Sequence, residues 1–173
     1  IAGNLGESAI AVELAQAETT ARPKSAEAWR RSAQALLAAG DRTAARKALE
    51  RALELAPDDF DLRLALASVH ADGGRRDLAD RVLSKARPQD DRALAARLAN
   101  VAGEPDAKLL KRIERELLRS KPDVVPSRAF LLGQLYELRE EPDRALTWYA
   151  QEPEGVAWHE SQLRRSVLLA TRK

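Results

Sequence analysis

The sequence predicts an all-α fold, a right-handed solenoid of stacked antiparallel helix hairpins with about ten helices. Three observations lead there. Gly6, Gly40 and Gly74 recur at a spacing of 34 residues, with Ala11, Ala45 and Ala79 in step and Pro23 and Pro57 sharing the period. Alanine, leucine, arginine and glutamate, all strong helix formers, dominate, while aromatic residues make up only 4% of the chain and β-branched ones are scarce, so strands lack their usual material. Within each period the apolar residues fall three and four positions apart, the spacing of one helix face.

Residues 1–22 read as the second helix of a hairpin whose first is missing, with Gly6 as its turn. The sequence opens at Ile1 without Met, so further chain is expected upstream, carrying a signal peptide, a lipid anchor or more repeats. The clearest repeat is 26–59. Trp29, Ala33 and Leu36 stripe its first helix, Gly40 suits a left-handed C-cap, and Asp41 and Thr43 offer side-chain oxygens to the next helix. Ala45, Leu49 and Ala52 stripe the second helix, which stops before Pro57. Ala33 and Ala45, twelve residues apart, let the two helices approach closely.

The repeat 60–88 follows the same plan: Leu66, Ala67 and His70, a turn at Gly74, then Ala79, Leu83 and Ala86, with an exit at Pro88. Over 90–121 the period loosens. Leu94, Leu98 and Ala102 mark one short helix, Gly103-Glu104-Pro105 turns the chain, and Leu110, Ile113 and Leu117 stripe another. After the link Pro122 to Pro126 the pattern returns over 126–152 with Leu132, Gly133 and Tyr136, then Ala145 and Tyr149. Glu140-Glu141-Pro142-Asp143 replaces the glycine turn, and Pro142 suits the first helical position. Residues 156–173 read as a terminal helix from Val156 to Thr171, which either caps the stack or begins another repeat.

Composition removes several function classes. The chain has no Cys, so neither a disulfide framework nor a thiolate metal site can form. Net charge is +2 with the signs interleaved and no block of like charge, which argues against a nucleic-acid partner. No apolar stretch approaches the ~20 residues of a membrane span. His70 and His159 are the only histidines; His159-Glu160 starts a zinc-protease motif, but Leu163 fills the second histidine slot. His70 falls on the packed stripe and is expected to be a core residue. No phosphate-binding glycine loop or nucleophile elbow occurs, and no cofactor, metal or catalytic residue is expected.

The acidic pairs Asp58-Asp59, Asp90-Asp91 and Glu140-Glu141 stand near predicted helix starts, where capping and the helix dipole account for them. The basic pairs Arg30-Arg31, Arg75-Arg76, Lys111-Arg112 and Arg164-Arg165 are expected on solvated faces, Arg30 excepted. Trp29, Trp148 and Tyr149 belong to packing stripes. Trp158 either covers the last hairpin or meets a further repeat.

The run Ala26-Glu27-Ala28-Trp29, then Ala33, Leu36, Gly40-Asp41, Ala45, Ala52 and Pro57, resembles a tetratricopeptide repeat. The resemblance extends over 6–87 and returns over 126–150. Asp90 to Ser120 fits as a helical hairpin without the small-residue contacts, and Ser32 stands where the family has a larger apolar residue. More narrowly, Leu132-Gly133 through Ala145-Leu146-Thr147-Trp148-Tyr149 and His159 to Ala170 is similar to repeats of bacterial outer-membrane lipoprotein adaptors that bring a carboxyl-terminal-processing protease to its cell-wall hydrolase substrates. That likeness implies a periplasmic, outer-membrane-anchored protein, with a cytoplasmic one as the alternative.

In such a fold the first helix of each hairpin lines the concave side, and residues off the packing stripe face the groove. These are Arg30, Gln34 and Leu37, then Leu64, Ser68 and Ala71, then Phe130, Gln134 and Glu137, an apolar surface with polar anchors suited to an extended peptide or a partner helix. Gln34, Leu64 and Ser68 do not reproduce the lysine and asparagine clamp with which some family members hold a terminal carboxylate. The expected function is a non-catalytic scaffold or adaptor binding a polypeptide. Two alternatives stand beside it: a structural module self-associating through open ends in an envelope or secretion assembly, and the helical appendage of an enzyme.

Overall fold

In the computed structural model, residues 2–87 and 90–171 are described, residues 2–7 by backbone alone. Ten α-helices run in order among them: α1 (Ala2–Ala21), α2 (Ala26–Ala38), α3 (Arg42–Leu55), α4 (Phe60–Asp72), α5 (Arg76–Leu83), α6 (Asp91–Ala102), α7 (Ala107–Arg119), α8 (Arg128–Leu138), α9 (Pro142–Tyr149) and α10 (Trp158–Ala170). No strand occurs among the described residues. The expected exit at Pro88, like Ile1, Arg172 and Lys173, lies outside them. The chain divides into two compact units, Ile1–Val82 and Leu83–Lys173.

Among the described residues, five of the ten helix starts are closed by a side chain of the preceding residue. Ser25 Oγ accepts from Ala28 N at 3.2 Å, Asp41 from Ala44 N at 2.9 Å, Asp59 from Leu62 N at 3.0 Å, Asp90 from Ala93 N at 3.0 Å and Asp106 from Leu109 N at 2.8 Å. Each bond satisfies one of the free amides of a first turn. Thr43, expected to share the capping of α3 with Asp41, forms no cap bond; it lies inside the helix.

The turns close in a shared way. Gly40 N donates to Leu37 O and Asp41 N to Leu36 O; Gly74 and Arg75 repeat this onto Ala71 and His70, and Glu140 and Glu141 onto Glu137 and Tyr136. This is the double C-cap that needs a left-handed residue, and φ is +83° at Gly40, +73° at Gly74 and +59° at Glu140. Gly6 is different. It lies within α1, because nothing at that position stops a helix that Ala2 already starts.

In the first unit, α1 packs on α2, α2 on α3 and α3 on α4. Ala33, Ala45, Leu49, Ala52, Leu62 and Leu66 form the buried cluster, against which Trp29 and Val82 rest. Ala33 and Ala45 are both fully buried, as the close approach of α2 and α3 requires. Trp29 anchors its ring edge by donating from Nε1 to Pro23 O at 3.0 Å. Ser32 is buried in α2.

In the second unit, α6, α7 and α8 pack on one another, α9 on α8, and α10 on both α8 and α9. Leu94, Leu98, Val101, Leu110, Ile113, Leu117, Leu132 and Tyr149 belong to its buried cluster. The packed residue near the end of α6 is Val101, while Ala102, expected on the stripe, is exposed; the α6 axis turns it outward by one position. The last helix begins at Trp158, two residues beyond the expected Val156, because Gly155 and its neighbours form a turn.

Candidate functional site

In the first unit, α2 and α4 turn the expected groove residues away from the core. Gln34, Leu37, Leu64 and Ser68 are exposed, and Arg30 and Ala71 are half-buried. Arg30 is not free. Its guanidinium pairs with Glu27 one turn back at 2.6 Å, and its hydrogen bond holds the Glu27 carboxyl below the usual carboxylate range. Gln34 and Ser68 make no side-chain hydrogen bond among the described residues, so α2 and α4 each offer one uncommitted polar group beside an exposed leucine.

The second unit contains a cleft of about 410 Å³ between α6 and α8, closed at one end by Arg164 of α10. All three residues expected from α8 line it. Phe130, Gln134 and Glu137 recur at i, i+4 and i+7 and therefore share one face. The opposite wall is α6, whose Ala95, Ala99 and Ala102 are exposed above the buried Leu98. The packed stripe of α6, which is what its sequence pattern marks, does not point to this wall. The signal was present as three alanines at helical spacing.

The two ends of the cleft differ chemically. At the Phe130 end, the ring packs tilted on Tyr149 at 5.9 Å between centroids. At the other end Glu137 accepts a hydrogen bond from the Tyr149 hydroxyl and another from Arg164 Nη1 at 3.2 Å. Burial, and then its bond to Glu137, pushes the Tyr149 phenol well above its ordinary value, so it stays a donor. Arg164 also pairs with Glu160 at 3.1 Å and sits over the Phe130 ring at 6.0 Å. The expectation of a solvated Arg164 is thereby corrected: Glu137 and the Phe130 ring draw it against α8.

Gln134 lies between those ends and makes no side-chain hydrogen bond among the described residues. The cleft thus offers apolar walls, one uncommitted amide and a paired charge cluster, with no nucleophile beside a base. Among the described residues no group of three or more His, Cys, Asp or Glu could hold a metal ion. His70 is buried on α4, and His159 is exposed on α10 with its ring edge-on to Trp158 at 4.9 Å. No helix of the described residues is long and apolar enough to cross a membrane.

Compared with known protein families, residues 26–69 match the tetratricopeptide repeat. The match covers α2, α3 and most of α4, the segment in which the signature slots are filled. Repeats of this family generally mediate protein–protein interaction and are generally non-catalytic. No curated protein matches the chain, and the narrower likeness to lipoprotein adaptors gains no support from the family match.

Proposed function

We propose that this chain is a non-catalytic scaffold that holds a polypeptide partner against the outward faces of its first helices, with the α6–α8 cleft as the main anchoring point. The observation that carries this is the pairing of an alanine wall with Phe130 and an uncommitted Gln134 in one cleft. Small residues on one side let a backbone approach closely, an aromatic ring supplies contact area, and a side-chain amide can bond an extended backbone or a polar residue of a helix. Arg30, Gln34, Leu37, Leu64, Ser68 and Ala71 are proposed as a separate binding surface within the first unit.

A photo-crosslinking residue placed at Gln134 tests it in cells of the source organism. The expected result is an adduct with a polypeptide that disappears when Ala99→Arg fills the cleft. Phe130→Ala is expected to weaken capture by about 1–2 kcal/mol. No adduct, or an adduct indifferent to Ala99→Arg, overturns the proposal.

A second reading has its own observation. α10 exposes Leu163, Val167 and Leu169 to half or more, and α1 exposes Ile10 and Leu14, so terminal helices could join copies or further repeats head to tail. Concentration-dependent sedimentation favours that reading; a monomer at all concentrations excludes self-association.

A further inference from the structure

The outward face of α7 carries a row of cations, and both acids of the helix, Glu114 and Glu116, are at most half-exposed and paired. Lys108, Lys111, Arg115 and Arg119 follow one another at steps of three and four residues and are all exposed, which sets them in one line about 16 Å long at 1.5 Å per residue. Lys121, also exposed, follows just beyond the end of the helix.

The two carboxylates of α7 are engaged elsewhere. Glu116 meets Arg97 of α6, whose side chain is 0% exposed. Glu114 accepts from the Tyr136 hydroxyl at 2.5 Å and from Arg139 at 2.9 Å. None of the five cations has an acidic partner among the described residues.

Helix stability explains Arg119, a cation in the last turn of α7, but not the rest of the row. Lys108 lies in the first turn, where the helix dipole favours an acid, and that turn contains none. The row also ends at an apolar feature. Leu94, Val124, Arg119, Ser120, Lys121 and Glu116 line a pocket of about 310 Å³, the Glu116 carboxylate being held by Arg97; Val124 is 43% exposed there and Leu118 of α7 is 49% exposed.

We infer that the outer face of α7, with the adjoining pocket at Leu94 and Val124, is a second docking surface that shares no lining residue with the α6–α8 cleft, and that its occupant is an acidic polypeptide segment. Carboxylates spaced at helical pitch match the cation row, and an adjoining aliphatic side chain seats between Leu94 and Val124. Complementary charge of this kind sets association rate and register. A nucleic acid fits less well: the row has no aromatic side chain on which a base could stack, and the pocket at its end is apolar.

The test uses the whole chain and a fluorescently labelled acidic peptide with glutamates four residues apart and one flanking leucine. Binding is expected to weaken as salt rises and to fall about tenfold or more in Lys111→Glu/Arg115→Glu, with helicity unchanged. Exchanging the peptide's leucine for alanine is expected to weaken binding as well, and the cleft variant Ala99→Arg to leave it unchanged. The inference fails if the wild type does not bind the peptide or if the double variant binds equally. Tighter binding of a single-stranded oligonucleotide or of anionic lipid vesicles also overturns it.

Discussion

The ring of Tyr149 occupies the place where a side chain at Gly133 would begin: a Cβ there would stand 2.3 Å from Tyr149 Cε1 and 2.4 Å from Cδ1. Bare backbone of α8 thus meets a fully buried aromatic ring of α9. The hydroxyl of that ring reaches Glu137, one turn further along α8.

Gly133→Ala is therefore expected to destabilise the second unit by about 1–3 kcal/mol, although alanine is the better helix former by ~1 kcal/mol. Gly103→Ala, with nothing within 4 Å of its Cβ, is the matched control and is expected to change the urea midpoint little. Combining Gly133→Ala with Tyr149→Leu should recover part of the loss, and a double-mutant cycle reads that coupling.

Glu140 takes the left-handed conformation that Gly40 and Gly74 take in the equivalent turns. A side chain in that region costs about 1–2 kcal/mol. Glu140→Gly is expected to raise stability by up to about 1 kcal/mol, since glycine's freedom in the unfolded chain takes back some of the gain. Gly40→Ala should lower it by a similar amount. Thermal midpoints of the two variants, moving in opposite directions, check the pair.

His70 is buried with its Nδ1 lacking a hydrogen-bond partner. Burial, and then the nearby Arg75 and Arg46, hold its pKa below the ordinary value of 6.5 against the weaker pull of Glu50 and Asp77. The fold favours the neutral ring. This contribution is fully present above pH 6.5 and is lost as pH falls through the lower folded value. His70→Leu is expected to flatten the stability profile across that acidic window, measured by denaturant titration at stepped pH.

Glu152 shifts in the opposite sense. Burial raises its carboxyl above 4.5, the Phe130 amide bonded to it at 2.7 Å opposes the rise, and Asp91 adds to it. A raised acid contributes stability below its unfolded pKa that is lost as pH rises through the folded one. Glu152→Gln keeps an oxygen for the Phe130 amide and removes that charge. Relative to wild type it is expected to gain stability on going from acid to neutral pH, whereas Glu152→Ala should be destabilised at both by losing the acceptor.

The helical architecture was legible because local chemistry repeats. Gly40, Gly74, Asp41 and Asp59 act within a few residues of where they stand, and the small pair Ala33 and Ala45 announces its own contact. Phe130, Gln134 and Glu137 were legible as one face by spacing alone. Arg97 was not, because an arginine at a helix position reads as solvated until Glu116, 19 residues away, is brought beside it. Arg164 escaped for the same reason, its partners Glu137 and Tyr149 lying on other helices. Gly6 misled because a period marks equivalent positions, and equivalence does not make a turn where the preceding residues already continue a helix.

The start of α8 separates the two units in how they can assemble. Ser127 makes no side-chain cap; its own amide donates to Asp91 at 3.1 Å, and the Phe130 amide donates to Glu152. The oxygens that close this helix come from 36 residues before and 22 residues after it, whereas α2, α3 and α4 carry theirs in the adjoining residue. The first unit can therefore order one hairpin at a time. The second closes its central helix only with α6 and the segment after α9 in place, contacts of higher order in the sequence, and a fragment ending at Tyr149 would leave the Phe130 amide without its Glu152 acceptor.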